Sequence, residues 1–191
     1  GHVAGLVAEK TESNIWEGVN ANAGEFDGLT TLALADADVI DVASHAAVTA
    51  ANVIDKLGSI VDAVPSALYN KEDLHIYVSQ NIARAYVRAL GGFATSIGSN
   101  GVNAQGTQWY NAGGQLSFDG VKIFVANGLA DDTAMAAQKS NLYFVTGLLS
   151  DSQEVKVLDM SDLDGSQNVR VIMRYTSAVN YGIGSDIVLY S

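Results

Sequence analysis

The sequence contains no cysteine, which excludes disulfides, zinc–thiolate sites and thiol nucleophiles. Proline occurs once, at Pro65, and histidine three times, at His2, His45 and His75. The histidines are far apart and form neither an H-E-x-x-H pattern nor any paired spacing, so no transition-metal site is expected. Charged residues make up only 16% of the chain, well under the usual quarter. No apolar run approaches the roughly 18 residues of a membrane span, and no basic-then-apolar leader opens the chain. No membrane partner is expected. Gly1-His2 reads as a remnant of cloning, so the natural protein is expected to begin earlier.

What is present suits one domain with a sizeable core: 191 residues, 48% of them apolar. The net charge of −11 and a sequence pI of about 4.4 argue against gripping nucleic acid, which needs clustered Lys and Arg. The imbalance is strongest in residues 1–70, where ten acids face Lys10 and Lys56 alone. Such charge is more often a solvated face than a dock for a basic partner.

The last third, from Leu116 onward, alternates short Val/Ile/Phe/Tyr runs with Gly, Asn, Asp and Ser, the punctuation of a sheet. Upstream, residues 3–17 read as the end of a helix with Ala4, Val7, Ile15 and Trp16 on one face, stopped by Gly18. Short strands are expected at Thr30–Leu34 and Val39–Val42. The clearest helix is Thr49–Val64: Thr49 is a candidate N-cap, Val53, Ile54, Leu57, Ile60, Val61 and Val64 form a stripe, and Pro65 ends it. "LHIYVS" (Leu74–Ser79) reads as a buried strand running into a second helix, Ser79–Leu90. Ser79 is its cap, and Ile82, Tyr86, Val87 and Leu90 form its buried stripe. Arg84 and Arg88 share its outer face. Residues 93–114 form a Gly/Asn/Ser-rich loop of functional length, with Trp109 and Tyr110 near its end.

No catalytic motif survives inspection. Aligning Asp162, Asp164 and Gly165 to a calcium loop puts Met160 and Val171 at ligand positions, so the motif fails. Tyr181–Asp186 lacks the spacing of a nucleophile elbow, and the Gly91–Gly101 stretch lacks the Lys-Ser/Thr close of a phosphate loop. Asp131 and Asp132 could hold a cation, but read better as an N-cap and first-turn acid of a short helix over "TAMAAQ". Paired carboxylates for glycoside hydrolysis are not singled out.

The order of the signals is more specific than any one of them. "NIWEGVNANAGEFDGLTTLA" is a helix end, a Gly turn and a Gly-apolar segment. "TAANVIDKLGSIVDAVPSALY" is a helix closed by proline, and "LHIYVSQNIARAYVRAL" a strand capping a helix. "LSFDGVKIFVANGL", "NLYFVTGLL", Val155-x-Val157-x-Asp159, Val169–Tyr175 and "DIVLY" are the strands that follow. In this order the chain, from about Asn14 onward, resembles the major capsid proteins of tailed bacteriophages, the Hong Kong 97-type family. The family's N-terminal arm and long hairpin, which normally precede the first helix, have no counterpart here.

The resemblance implies an α+β fold with a mixed β-sheet flanked by helices. Residues 1–48 would hold the end of the spine helix and peripheral-domain strands, and residues 49–191 the axial domain, with closing strands returning to the peripheral domain. It implies a structural, non-enzymatic shell subunit with no cofactor and no small-molecule substrate. Its partner would be itself, in capsid pentamers and hexamers that enclose DNA without binding it tightly. Its place would be the virion, after synthesis in the host cytoplasm. Candidate subunit contacts are Trp109 and Tyr110 in the long loop, with Asp131 and Asp132. Two rivals stand beside this reading: an encapsulin-type compartment shell, and a hydrolase or glycan-binding domain using loop 93–114.

Overall fold

A computed structural model describes residues 2–42, 46–90, 116–147, 155–159, 169–173 and 176–191. Four helices are seen among these: α1 (His2–Glu17), α2 (Leu29–Ala35), α3 (Val53–Ala63) and α4 (Gln80–Leu90). Ten strands accompany them: β1 (Ile40–Asp41), β2 (Leu74–Val78), β3 (Ser117–Phe118), β4 (Val121–Val125), β5 (Ala134–Gln138), β6 (Leu142–Thr146), β7 (Val155–Asp159), β8 (Val169–Met173), β9 (Ser177–Tyr181) and β10 (Val188–Tyr190).

Six strands make one sheet in the order β1-β10-β5-β2-β4-β3. β1 runs parallel to β10 and β2 parallel to β4, while β10–β5, β2–β5 and β3–β4 are antiparallel. The fold is therefore α+β with a mixed sheet, as the sequence predicts. Alternation along each strand gives the sheet two apolar faces. Leu74, Ile76 and Val78 of β2, Ala134 and Ala136 of β5, and Val188 and Tyr190 of β10 pack with α3 and α4. The residues between them, Tyr77, Met135, Ala137 and Leu189, face Trp16, Leu29, Ala33 and Val179. β6 pairs only with β9, and β7 with β8, as separate two-stranded ribbons among the described residues.

The two helices expected to flank the sheet are present, with corrected ends. The turn at 50–52 is not yet helix, and Thr49 does not cap α3. Asn52 closes this turn instead: its Oδ1 accepts the Thr49 N–H (2.7 Å) and its Nδ2 donates to the Ala47 carbonyl (3.0 Å). Val53, Leu57, Ile60 and Val61 are buried. Ile54, placed on the stripe by sequence, is exposed, and Val64 is only half-buried in an extended conformation before Pro65. In α4, Ile82 and Tyr86 are buried as expected, joined by Ala83 and Ala85, while Val87 and Leu90 are half-buried. Arg84 and Arg88 are exposed. The Ser79 hydroxyl donates to Asn81 Oδ1 (2.5 Å), and its carbonyl accepts the Ala83 N–H (3.1 Å).

Two expectations are overturned. Thr30–Leu34 is not a strand but the body of α2. Leu29, Thr30 and Ala33 are buried at helical spacing, whereas Leu34, which strand alternation would place with Thr30, is exposed. The Thr30 hydroxyl donates to the Trp16 carbonyl at 2.5 Å, a tertiary bond that fixes the helix against α1. "TAMAAQ" is not a short helix but strand β5, because Ala134–Ala137 sit wholly inside the sheet between β10 and β2. Small side chains are what a strand covered on both faces can accommodate here, and tertiary burial overrides alanine's helix preference. In α1, Ala4 is exposed and Ile15 half-buried, so its packed face is confined to the last turns around Asn14 and Trp16.

The strand pair predicted around Gly120 is a hairpin, β3–β4, turning through Asp119 (φ 48°) and Gly120 (φ 78°). Two successive left-handed residues match the twist of the paired strands.

Candidate functional site

Among the described residues a groove of about 460 Å³ lies between α1 and the β4–β5 loop, lined by Glu9, Glu12, Ser13, Glu17 and residues 127–130. Convergent carboxylates in a cleft are what a hydrolase would need, but two of them are already engaged. Glu12 Oε1 accepts the Asn127 N–H (3.2 Å). Glu17 Oε1 accepts the Ala130 N–H (3.1 Å), and its Oε2 lies 3.0 Å from the Thr30 hydroxyl, whose one proton points to the closer Trp16 carbonyl. These glutamates hold a loop to a helix, in keeping with the strong hydrogen bonds that carboxylates make to backbone amides.

Next to it, Lys10 pairs with Glu25 at 2.5 Å. Glu25 also accepts from Asn22 Nδ2 and the Val19 N–H. The Lys10 and Asn22 bonds, with the Val19 amide, pull its pKa down to about 2. A lowered folded-state pKa contributes stability above the unfolded value of about 4.3 that is lost as pH falls through the folded one. The contribution of Glu25 should therefore be full above about pH 4.3 and decline as pH falls from there to about 2, and NMR titration of its carboxyl carbon checks the folded-state midpoint. A midpoint near 4.3 would mean that the loop at 19–25 does not hold this arrangement in solution.

Asp131 is exposed and Asp132 half-buried in the turn before β5. Asp132 has φ 63°. Its Oδ1 accepts the Val48 N–H (2.8 Å) and Asn81 Nδ2 (2.7 Å), while its own N–H donates to Asn81 Oδ1 (3.0 Å). It thus ties together the approach to α3, the start of α4 and the start of β5. Asp132→Ala is expected to cost about 1–3 kcal/mol in urea unfolding, and Asp132→Asn much less, because an amide oxygen still accepts and Asn tolerates the left-handed region. Equal losses would show that the hydrogen bonds are not what matters. Trp109 and Tyr110, like the rest of loop 93–114, lie outside the described residues, as does His45.

One grouping superficially resembles a catalytic triad. Asp73 accepts from the Ser140 hydroxyl (2.5 Å) and Gln138 Nε2 (3.0 Å), bonds that hold its carboxyl below the usual range. His75 Nδ1 faces the Asp73 carbonyl at 2.8 Å, so that nitrogen carries the proton. The serine bonds the carboxylate directly rather than a histidine base, which is not the relay of a nucleophilic site. Among the described residues no group of three His, Cys, Asp or Glu side chains could hold a metal ion, and no helix is long and apolar enough to cross a membrane.

The surface carries a different signal, one that sequence periodicity did not single out. Tyr143, Phe144 and Val145 of β6 are each more than half exposed, on both faces of the β6–β9 ribbon. No Asp, Glu, Lys or Arg lies in Leu142–Gly147 or Ser177–Gly184. The ribbon is anchored midway, where Val179 enters the core, and at its Leu142–Tyr181 end. There the Tyr181 hydroxyl donates to Asp36 (2.8 Å), and burial together with that carboxylate pushes its pKa up to about 12.

No family model and no curated protein matches the sequence. Solved structures do match. A structure from Mycobacterium phage Che8 superposes with a TM-score of 0.63 at 16% identity, covering 97% of this chain and 59% of that one. A virus-like particle from Pyrococcus furiosus gives 0.54 at 12% identity, with 97% and 64% covered. The satellite phage P4 procapsid, including its size determination (Sid) protein, gives 0.55 at 10% identity, with 98% and 64% covered. This is the phage capsid fold. The chain spans 59–64% of the length of these three structures. At these identities the capsid fold is shared while most side chains differ, so the arrangement of secondary structure carries the likeness.

Proposed function

We propose that this protein is a structural subunit of a phage or prophage shell, assembling with copies of itself into pentamers and hexamers that enclose DNA. The single observation that carries the reading is a capsid fold shared over 97% of the chain with a phage structure. The exposed, charge-poor β6–β9 ribbon supports it, as an apolar surface of the kind that marks an interaction site. On this reading residues 49–191 form the axial domain. Loop 93–114, with Trp109 and Tyr110, and the turn at Asp131 and Asp132 lie at subunit contacts. The protein functions in the virion, after synthesis in the host cytoplasm, and uses no cofactor, no substrate and no catalytic residue.

The likeness to the Pyrococcus virus-like particle supports a second reading, a compartment shell filled with protein rather than DNA. Electron microscopy of particles formed by the full-length protein in its host, with analysis of their contents, tests both. Closed shells containing DNA are expected. Shells containing an enzyme would favour the compartment. Absence of shells together with turnover of a glycan or ester by the purified chain would replace both with an enzyme.

A further inference from the structure

The helices that cover the sheet present two exposed stripes of opposite charge. On α3, Asp55, Ser59 and Asp62 are exposed, at spacings that put them opposite the buried Val53, Leu57, Ile60 and Val61. The cation of this helix, Lys56, is half-buried, with its Nζ 5.9 Å from the centre of the Tyr190 ring. On α4, Gln80, Arg84 and Arg88 are exposed, and residues 74–90 contain no acid. Among the described residues neither arginine and neither carboxylate has an ion pair or a side-chain hydrogen bond. Asp55 in the first turn of α3 and Arg88 in the last turn of α4 complement the helix dipole. The other two charges gain nothing of this kind. Asp62 sits in the last turn of α3, where the dipole opposes a carboxylate. Arg84 sits one turn before Arg88, and like charges four apart on a helix repel. Both are unfavourable within the chain, and each would be relieved by the opposite charge on a neighbour.

We propose that the α3–α4 layer is a self-complementary contact surface, on which the acid stripe of α3 meets the arginine pair of α4 from a second copy of this chain. Charge complementarity names that occupant. The whole chain carries −11, so copies repel over most of their surface. This face instead holds exposed carboxylates and exposed guanidinium groups on two helices that pack on the same side of the sheet. Two arginines alone are too few for a nucleic-acid track, whereas the planar fork of arginine matches a carboxylate. Asp55 and Asp62 lie about 10.5 Å apart along α3, and Arg84 and Arg88 about 6 Å apart along α4, a difference that long arginine stems can span. Exposed ion pairs add little strength. What they add is register and the exclusion of wrong approaches. The contact rests on the self-association proposed above, but not on what a shell would enclose.

Charge reversal tests this in the chain itself. Sedimentation at high protein concentration in about 0.15 M salt compares four chains: the parent, Arg84→Glu with Arg88→Glu, Asp55→Arg with Asp62→Arg, and one carrying all four substitutions. The parent should self-associate, and each double reversal should weaken that association by roughly tenfold. The acid reversal makes the chain less negative, so general repulsion alone would strengthen its association; a loss there reports the specific pairing. The chain with all four substitutions keeps the parent's net charge and inverts the pairing, so it should recover the parent's association. An equimolar mixture of the two double variants should recover it too. Circular dichroism verifies folding, and if a reversed chain misfolds, Asp62→Asn and Arg84→Gln read the same loss without reversing a charge. A parent that does not associate, stronger association of the acid-reversed chain, or no recovery with all four substitutions overturns the contact. Loss of DNA binding in the arginine variant with self-association unchanged would also overturn it, in favour of a nucleic-acid site. Shells in the host without this pairing would leave the proposed function standing and remove the contact; recovered pairing without shells would do the reverse.

Discussion

Replacing Leu57 with alanine is expected to destabilise the protein by about 2–5 kcal/mol. Leu57 is 1% exposed and lies in the cluster that joins α3 to Ile76, Ala136 and Val188 of the sheet. The deletion removes buried methyl groups and leaves a cavity between a helix and a sheet, two stiff surfaces that collapse poorly. Ile54 is the internal control. It is on the same helix but 47% exposed, so Ile54→Ala should change stability by less than about 1 kcal/mol. Urea unfolding of both variants decides the matter. Equal losses would mean that α3 does not present the face seen here, and a Leu57 loss below about half a kcal/mol would remove it from the core.

A change of comparable size is expected from adding a single methyl group at Gly28. A Cβ there would sit 2.5 Å from the Trp16 carbonyl carbon and oxygen and 2.7 Å from the Asn14 oxygen. These are backbone atoms of α1, which cannot rotate away as a side chain would. The Gly28 N–H also donates to the Gly18 carbonyl (2.8 Å), and Gly18 itself is hemmed in by the Phe26 and Asn14 carbonyls. Gly28→Ala should therefore cost about 3 kcal/mol, the upper end of overpacking penalties, and quench or shift the fluorescence of Trp16. Gly58→Ala, where an added Cβ meets nothing within 4 Å, should instead stabilise by roughly 0.5–1 kcal/mol as a helix-interior glycine replacement. If Gly28→Ala proves neutral, α1 and α2 are not in the contact described.

The sequence is most legible where burial and periodicity agree. α3 and α4 have proline or diglycine at one end and an apolar stripe between, so their existence and sheet-facing sides follow directly. β2 and the β3–β4 hairpin are equally readable, the first from an apolar run, the second from Asp-Gly between strands. α2 was misread because Thr30, Leu32 and Leu34 alternate like a strand; its helical state depends on Trp16 and Val179, distant in the chain. β5 was misread because alanine is a strong helix former and only its place between β10 and β2 makes it a strand. The candidate site was less legible still. Asp131 and Asp132 could be noticed, but the role of Asp132 rests on Val48 and Asn81. The Glu12 and Glu17 contacts reach residues more than a hundred positions away, and no local pattern announces such a pairing.

The position of β10 in the sheet has a bearing on how this protein is born. Val188–Tyr190 do not add to an edge; they insert between β1 and β5, with Ile40 opposite Val188 on one side and Ala136 on the other. A ribosome that has delivered β1, β2, β4 and β5 has therefore delivered a sheet with a slot in it, whose walls include Ile40 and Met135. The slot is filled by residues that emerge only at the end of this stretch of chain. Until then the nascent protein displays two unpaired strand edges, and these are open to any other strand in the neighbourhood. Because the closing strand pairs with residues from the first quarter of the chain, its closure is also the slow, non-local kind. In a cell making many copies at once, the interval before β10 docks is when one copy can mistake another's strand for its own.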